Sequence, residues 1–251
     1  QTSTITVSVD DANSDDDFDG VADQTVSVST TDDDVAGFTI TETEGSTTVT
    51  EAGSTDTITV VLNAQPTSDV VIAISSNDTG ETAVNGSTVN NNSLTFTSAN
   101  WDTAQSFTVT GVDDDLVDGT VESTLTISVV DALSDNGFDG VADQTVSVST
   151  TDDDVAGFTI VELEGSTEVD ESGDTDTFTV VLDAQPTSDV VITIVSSDTG
   201  EATVTSTLTF TPANWDTPQI ATITGIDDDI IDGSQTSTIT VSVDDANSDD
   251  D

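Results

Sequence analysis

The chain repeats itself at domain length. Phe18–Ile40 recurs unchanged at Phe138–Ile160, 120 positions on, and Val60–Ile72 recurs at Val180–Ile192 with Asp183 in place of Asn63. Leu94–Gln105 returns as Leu208–Gln219 only 114 positions on, because the first copy carries six extra residues in a loop around Gly86–Asn92. Gln1–Asp17 is identical to Gln235–Asp251. A period of this size is that of a whole domain copied in tandem, each unit carrying its own core. The repeat sets the organisation expected: residues 1–36 as the C-terminal strands of a preceding repeat, 37–156 as a complete repeat, and 157–251 as a second repeat lacking its last strand. The 251 residues read as a window from a longer array.

Inside one unit the apolar residues alternate with Thr and Ser. Thr57–Leu62, Leu94–Thr97, Phe107–Thr110, Leu125–Val129 and Thr145–Ser149 all show this period-two pattern, rich in β-branched side chains. It is the pattern of half-buried strands, and no stretch shows the 3.6-residue period of a helix. Strands are predicted over about 38–43, 56–64, 69–76, 93–98, 105–112, 122–131 and 143–150. They are separated by Gly, Asn, Asp and Pro turns at the spacing of a β-sandwich. The inward face is predicted to hold Ile58, Val60, Leu62, Val70, Ile72, Ile74, Leu94, Phe96, Phe107, Val109, Leu125, Ile127, Val129, Val146 and Val148. At about 1.5–3 kcal/mol per buried aliphatic side chain, that set is a sufficient core for one unit. Trp101 and Trp215 fall in the repeated Asn-Trp-Asp turn, where a core plug or loop anchor is the simpler reading and a ligand platform the alternative.

Composition narrows the chemistry. The chain has no Lys, Arg, His or Cys, against 51 Asp and Glu, for a formal net charge of -51. Nothing can neutralise phosphate, so nucleic acid is excluded as a partner, and anionic membrane surfaces repel the chain. No apolar stretch approaches the ~20 residues of a membrane span, so membrane insertion is not expected. Imidazole and amine bases, thiol nucleophiles, disulfides and ordinary zinc sites are absent with their residues. Carboxylates, hydroxyls and amides remain, and their natural inorganic partner is a hard cation, Ca2+ above all.

The acidic residues cluster at the predicted strand ends. Asp113, Asp114 and Asp115 stand with Asp118, and Asp152, Asp153 and Asp154 close the unit, while Glu51 and Asp78 stand apart in sequence. Carboxylates ~4 Å apart repel by about 4 kcal/mol per pair at an effective dielectric near 20, and the chain holds no side-chain cation to relieve that. Calcium accepts six to eight oxygens in flexible geometry, whereas magnesium prefers to keep its waters. A second candidate is Asp15-Asp16-Asp17-Phe18-Asp19-Gly20, which reads as the first half of an EF-hand-like loop, with Val26 where its closing Glu would stand. A tight hairpin loop explains that stretch as well.

Four runs carry a family resemblance. Thr50-Glu51-Ala52-Gly53, Leu208–Gln219, Thr224–Gly233 and Thr150–Asp154 together resemble the Calx-β domain, in the form found in tandem in giant bacterial extracellular proteins. The resemblance covers essentially the whole chain and implies all-β architecture: tandem immunoglobulin-like antiparallel β-sandwiches, with calcium where acidic end loops converge. Carried over by position, the implied ligands are Glu51, Asp78, Asp113, Asp114, Asp118 and Asp152 to Asp154 in the first unit, with Asp115 beside them. In the second unit they are Glu171, Asp198, Asp227, Asp228 and Asp232, with Asp229 beside them, and the partial unit supplies Asp32, Asp33 and Asp34. Asp118 and Asp232 stand where the family often has Glu, which leaves bidentate ligation there open.

Three functional classes are compatible with these features. The first is a non-enzymatic structural segment of an extracellular bacterial surface fibre, filament or adhesin stalk. Asp152–Gly157 runs into the next strand without a Ser/Gly or Pro spacer, so calcium there would fix the angle between neighbouring repeats. The second is calcium-dependent adhesion to a glycan or cell-surface ligand, for which exposed aromatics are few. The third is glycoside hydrolysis by a carboxylate pair. Near-identical acidic loops copied from unit to unit argue against an enzyme. Other copies of the chain are possible partners, laterally or head to tail, the latter by donation of the strand near Gln24–Thr30 to another copy's second sandwich. The redundant copy of Gln1–Asp17 counts against that last reading, because the recipient already owns the equivalent strand.

Overall fold

The computed structural model describes residues 1–85, 92–163, 165–231 and 233–248. Its strands, in chain order, begin with a hairpin of β1 (Thr2–Val7) and β2 (Gln24–Ser29), paired antiparallel from Thr2 opposite Ser29 to Val7 opposite Gln24. The first unit then contributes β3 (Phe38–Glu42), β4 (Thr47–Thr50), β5 (Thr55–Leu62), β6 (Val70–Ser76), β7 (Thr82–Asn85), β8 (Ser93–Phe96), β9 (Gln105–Gly111), β10 (Thr120–Val129) and β11 (Gln144–Thr151). The second contributes β12 (Phe158–Glu162), β13 (Thr175–Leu182), β14 (Val190–Ser196), β15 (Ala202–Val204), β16 (Thr207–Phe210), β17 (Gln219–Gly225) and β18 (Ile239–Val243). Only short 3-10 turns break the all-β pattern, and no helix among the described residues is long and apolar enough to cross a membrane.

Two sheets form the first unit, in the orders β4-β11-β10-β6-β8 and β3-β5-β9-β7. Alternation explains why they face one another: Ile58, Val60 and Leu62 of β5 and Phe107 and Val109 of β9 are buried opposite Val70, Ile72 and Ile74 of β6 and Leu125 and Ile127 of β10. All belong to one apolar cluster. Val129, expected inside, is only partly buried at its edge. Trp101 packs against the cluster and its carbonyl accepts from the Leu62 N–H (3.1 Å), and Trp215 repeats this with Leu182 (3.2 Å), so both anchor a turn to the core.

The architecture departs from the predicted one at the edge that shapes the acidic end of the unit. Strands β4 and β7 lie outside the sequence pattern, and β4 pairs parallel with β11, Val148 opposite Thr47 through Thr151 opposite Thr50, so the sheet is mixed rather than purely antiparallel. The seam is tight: a Cβ on Gly111, at the end of β9, would lie 2.0 Å from the Thr50 carbonyl oxygen. Glycine is therefore required where β9 passes behind β4.

The second unit repeats the plan with one difference. Its sheets run β12-β13-β17-β15 and β16-β14-β18. Thr167–Asp170, the counterpart of β4, forms no strand, and among the described residues no strand lies along the edge of β18 where β11 flanks β10. The core beneath is correspondingly open. Ile239 and Val241 are only half-buried where Leu125 and Ile127 are fully covered.

Candidate metal centre

One end of the first sandwich gathers its carboxylates around a buried one. Glu51 follows β4 directly, and its N–H donates to the Thr151 carbonyl (3.0 Å), which ties it to the end of β11. Its side chain is 1% exposed, and neither carboxylate oxygen has a hydrogen-bond partner. Carboxylate oxygens of Glu51, Asp152 and Asp154 all lie within 4.8 Å of one another, the only such group of three acids among the described residues. Burying an ionised, unpaired carboxylate costs several kcal/mol, so this arrangement is stable only with a proton or a cation among these oxygens.

The loops around it are positioned by their own turns. The Asp118 and Gly119 N–H groups donate to Asp152 Oδ2 (3.0 and 2.8 Å), and the Asp154 N–H donates to Asp152 Oδ1 (2.6 Å). Burial acts on Asp152 too, yet these donors together hold its carboxyl below the ordinary range. Glu51 behaves in the opposite way: burial first, then the charges of Asp114, Asp152, Glu81 and Asp118, push it up to about 7. Asp154 is raised by burial and by Asp152, Asp115, Asp153 and Asp113.

Glu81 is the residue that sequence reasoning misses. It directly precedes β7, is buried, and its Oε2 has no partner; burial and then Asp118, Asp114, Asp78 and Asp152 raise its carboxyl. Beside it lies a hydroxyl cluster: Thr82 Oγ1 is 2.7 Å from Ser123 Oγ and 3.3 Å from Thr150 Oγ1. A signal is present in the sequence, since Asp78-Thr79-Gly80-Glu81 recurs unchanged as Asp198-Thr199-Gly200-Glu201 in the second unit, following Asn77 in one copy and Ser197 in the other.

The remaining predicted residues divide by unit. Asp78, Asp113, Asp114, Asp115, Asp118 and Asp153 share the electrostatic neighbourhood of Glu51, Glu81 or Asp154. In the second unit Glu171 is half-buried and Asp198 and Asp229 are exposed, with Asp227 and Asp228 in the same loop; Asp232 lies outside the described residues. Asp32, Asp33 and Asp34 are exposed beyond β2 and join no group of acids close enough to share an ion among the described residues. At the EF-hand-like stretch, Asp15 caps a 3-10 turn by accepting from the Asp17 N–H (3.0 Å). Its counterpart Asp135 is buried and accepts from the Thr67 N–H and hydroxyl, the Ser68 N–H and the Gly137 N–H. Those bonds, that of the Thr67 hydroxyl foremost, hold its carboxyl far below the ordinary range. Asp135 thus anchors a loop with protein donors on both oxygens.

The same end of the unit touches its neighbour. The Gln185 N–H donates to the Asp115 carbonyl (2.6 Å), and the Val117 N–H to the Gln185 carbonyl (3.4 Å), with Leu116 and Gln185 in a parallel bridge. Val117 lines an apolar cleft of about 280 Å3 together with Phe158, Leu182, Pro186 and Val190 of the second unit. The loop Asp113–Asp118 therefore carries acids of the first unit's centre on one side and the contact to the second unit on the other.

No protein-family model matches the chain, and no curated protein matches it. Among solved structures it is similar to CBD12 from CALX1.2, at 14% identity over 81% of this chain and 79% of that one, with a TM-score of 0.30. It is similar to the apo-form Calx CBD1 domain, at 18% identity over 47% of this chain and 98% of that one, with a TM-score of 0.32. Domains 1-6 of surface layer protein SbsC match 99% of this chain and 27% of that one at 16% identity and a TM-score of 0.35. At such identities and scores these likenesses carry no argument about chemistry, which rests on the residues themselves.

Proposed function

We propose that this chain is a non-enzymatic structural segment of a long extracellular bacterial fibre, filament or adhesin stalk, stiffened by calcium at its acidic end loops and inter-domain junctions. The observation that carries the reading is Glu51: a buried carboxylate with both oxygens unpartnered, beside Asp152 and Asp154 at the point where the chain leaves for the next unit. The donor set is all oxygen and mostly anionic, with Glu81, Asp114 and Asp118 close by, which fits calcium and offers nothing to softer metals. A cation among these oxygens would draw the Asp113–Asp118 loop inward and fix its backbone, and that backbone holds Gln185 of the neighbouring unit. Binding and inter-domain stiffness are thereby coupled.

Small-angle scattering of the whole chain tests this. In calcium the curve is expected to fit a single rigid arrangement of the two units; with EDTA at the same salt it should broaden into a distribution of inter-domain angles. Superimposable curves in the two buffers would sink the stiffening role.

A further inference from the structure

The first unit is entered and left at opposite ends. The chain enters at Gly37, whose carbonyl accepts from the Asn63 N–H (2.9 Å) just past the end of β5, and β3 then runs antiparallel to β5, Phe38 opposite Leu62 through Glu42 opposite Ile58. It leaves at Asp152, directly after β11 and beside Glu51, at the end where β5 begins. Residues 1–36 continue from the entry and residues 157–251 from the exit. Tension on this chain therefore pulls β3 and β4 back toward the entry and draws β11 out past the exit.

The parallel pair lies in the path of that force. Strands β4 and β11 are matched from Thr47 opposite Val148 to Thr50 opposite Thr151, and the Glu51 N–H extends the ladder to the Thr151 carbonyl (3.0 Å). Parallel strands pulled from opposite ends are loaded along their length, so every ladder bond bears the force at once. Strand β3 is sheared against β5 in the same sense. On its other flank β4 is held by the Thr48 N–H on Asp56 Oδ2 (3.3 Å) and the Thr50 N–H on Ser54 Oγ (2.8 Å). The Thr47 hydroxyl donates to Glu42 Oε2 (2.9 Å), which ties β4 to the end of β3.

We propose that the seam between β4 and β11 is a tension-bearing clamp, and that a cation at Glu51, Asp152 and Asp154 is its lock. The clamp follows from strand direction and connection alone, while the lock rests on the cation reading above. Glu51 stands at the end of one strand of the seam, and Asp152 and Asp154 at the end of the other. An ion shared by their oxygens crosses the seam where it has to slip. The smallest slip that restores side-chain alternation is two residues, about 7 Å. These oxygens now lie within 4.8 Å of one another, so the slip carries Glu51 out of reach of an ion held by the other two. The seam slides only once that ion is lost. The added function is to carry load, with calcium setting the force at which the unit yields.

Single-molecule pulling of the whole chain tests clamp and lock separately. The chain has no cysteine, so pairs of cysteines introduced at exposed positions define the direction of force. Val35→Cys with Val155→Cys, at residues 78% and 76% exposed on either side of the unit, shears the seam. Ser46→Cys with Ser147→Cys, both exposed and one place before Thr47 and Val148, peels it from its start. In EDTA the shear pair is expected to yield at a force at least about twofold above the peel pair, because shear strains all the ladder bonds together and peeling strains them in turn. Calcium should raise the shear force further, leave the peel force nearly unchanged, and lose its effect in Glu51→Gln. Equal forces for the two pairs in EDTA overturn the clamp. A shear force unmoved by calcium overturns the lock; if the same protein still melts at a higher temperature in calcium, the ion binds without locking the seam, and if it does not, the cation reading fails as well.

Discussion

Calcium should raise the melting temperature of the first sandwich by about 10 °C, and Glu51→Gln should reverse the ranking of parent and variant between calcium-free and calcium-loaded protein. A site at 100-fold over its dissociation constant adds about 2.7 kcal/mol, and 1 kcal/mol moves the midpoint of a domain this size by roughly 4 °C or more. The variant separates this from general screening of the negative surface. Without calcium at pH 8, glutamine removes a buried charge that has no hydrogen-bond partner, so the calcium-free variant should be more stable than the parent by about 1–2 kcal/mol, even with its amide unsatisfied. In calcium it should be less stable, because a ligand is gone. Thermal melts of both proteins in both buffers read this directly. A variant destabilised equally in each would show that Glu51 is a packing residue.

A pH slope of unusual sign is also expected. Glu51 in the folded chain sits at about 7 against an ordinary 4.5, so between those values the folded state holds a proton that the unfolded chain has released. Stability from that proton is present in full below the ordinary value and is lost as pH rises through 7. Calcium-free protein should therefore become less stable from pH 5 to pH 8, by roughly 3 kcal/mol at most from Glu51 alone. Glu81 and Asp154, also raised, act in the same direction. With calcium the slope should flatten or turn over, since the cation competes with protons for the same oxygens. Glu51→Gln should flatten the calcium-free slope. Melting curves at half-unit pH steps check the sign, and a calcium-free protein that gains stability over this range would contradict the burial of Glu51 as described.

Much of the fold was legible because period-two alternation is a local property. Ile58, Val60 and Leu62 declare an inward face by spacing alone, and the structure buries all three. Strand β4 was not legible, for a reason that the molecule itself supplies. Thr47–Thr50 contains one apolar residue, and its strand character comes from pairing with β11, about a hundred positions along. Its counterpart Thr167–Asp170, with no described strand beside it, is not a strand. Pairing, not propensity, makes this element.

The site was legible to a similar depth. Runs such as Asp113–Asp115 and Asp152–Asp154 announce themselves by charge density, and the structure brings both to the same end of the sandwich. Sequence could not rank the acids, because burial is a tertiary property. Glu51 owes its burial to the β4 and β11 seam and to the close approach of Gly111, while Asp78, equally isolated in sequence, is exposed. Glu81 hides in an Asp-Thr-Gly-Glu turn that reads as solvated until the start of β7 carries it inward.

Crystals of the whole chain grown with calcium, measured where calcium scatters anomalously, would show the ion itself. The expected map has an anomalous peak ringed by carboxylate oxygens of Glu51, Asp152 and Asp154 at about 2.3–2.6 Å. A clean map at that position, with Glu51 hydrogen-bonded to water or protein and calcium only on exposed acids, would refute calcium binding at the junction.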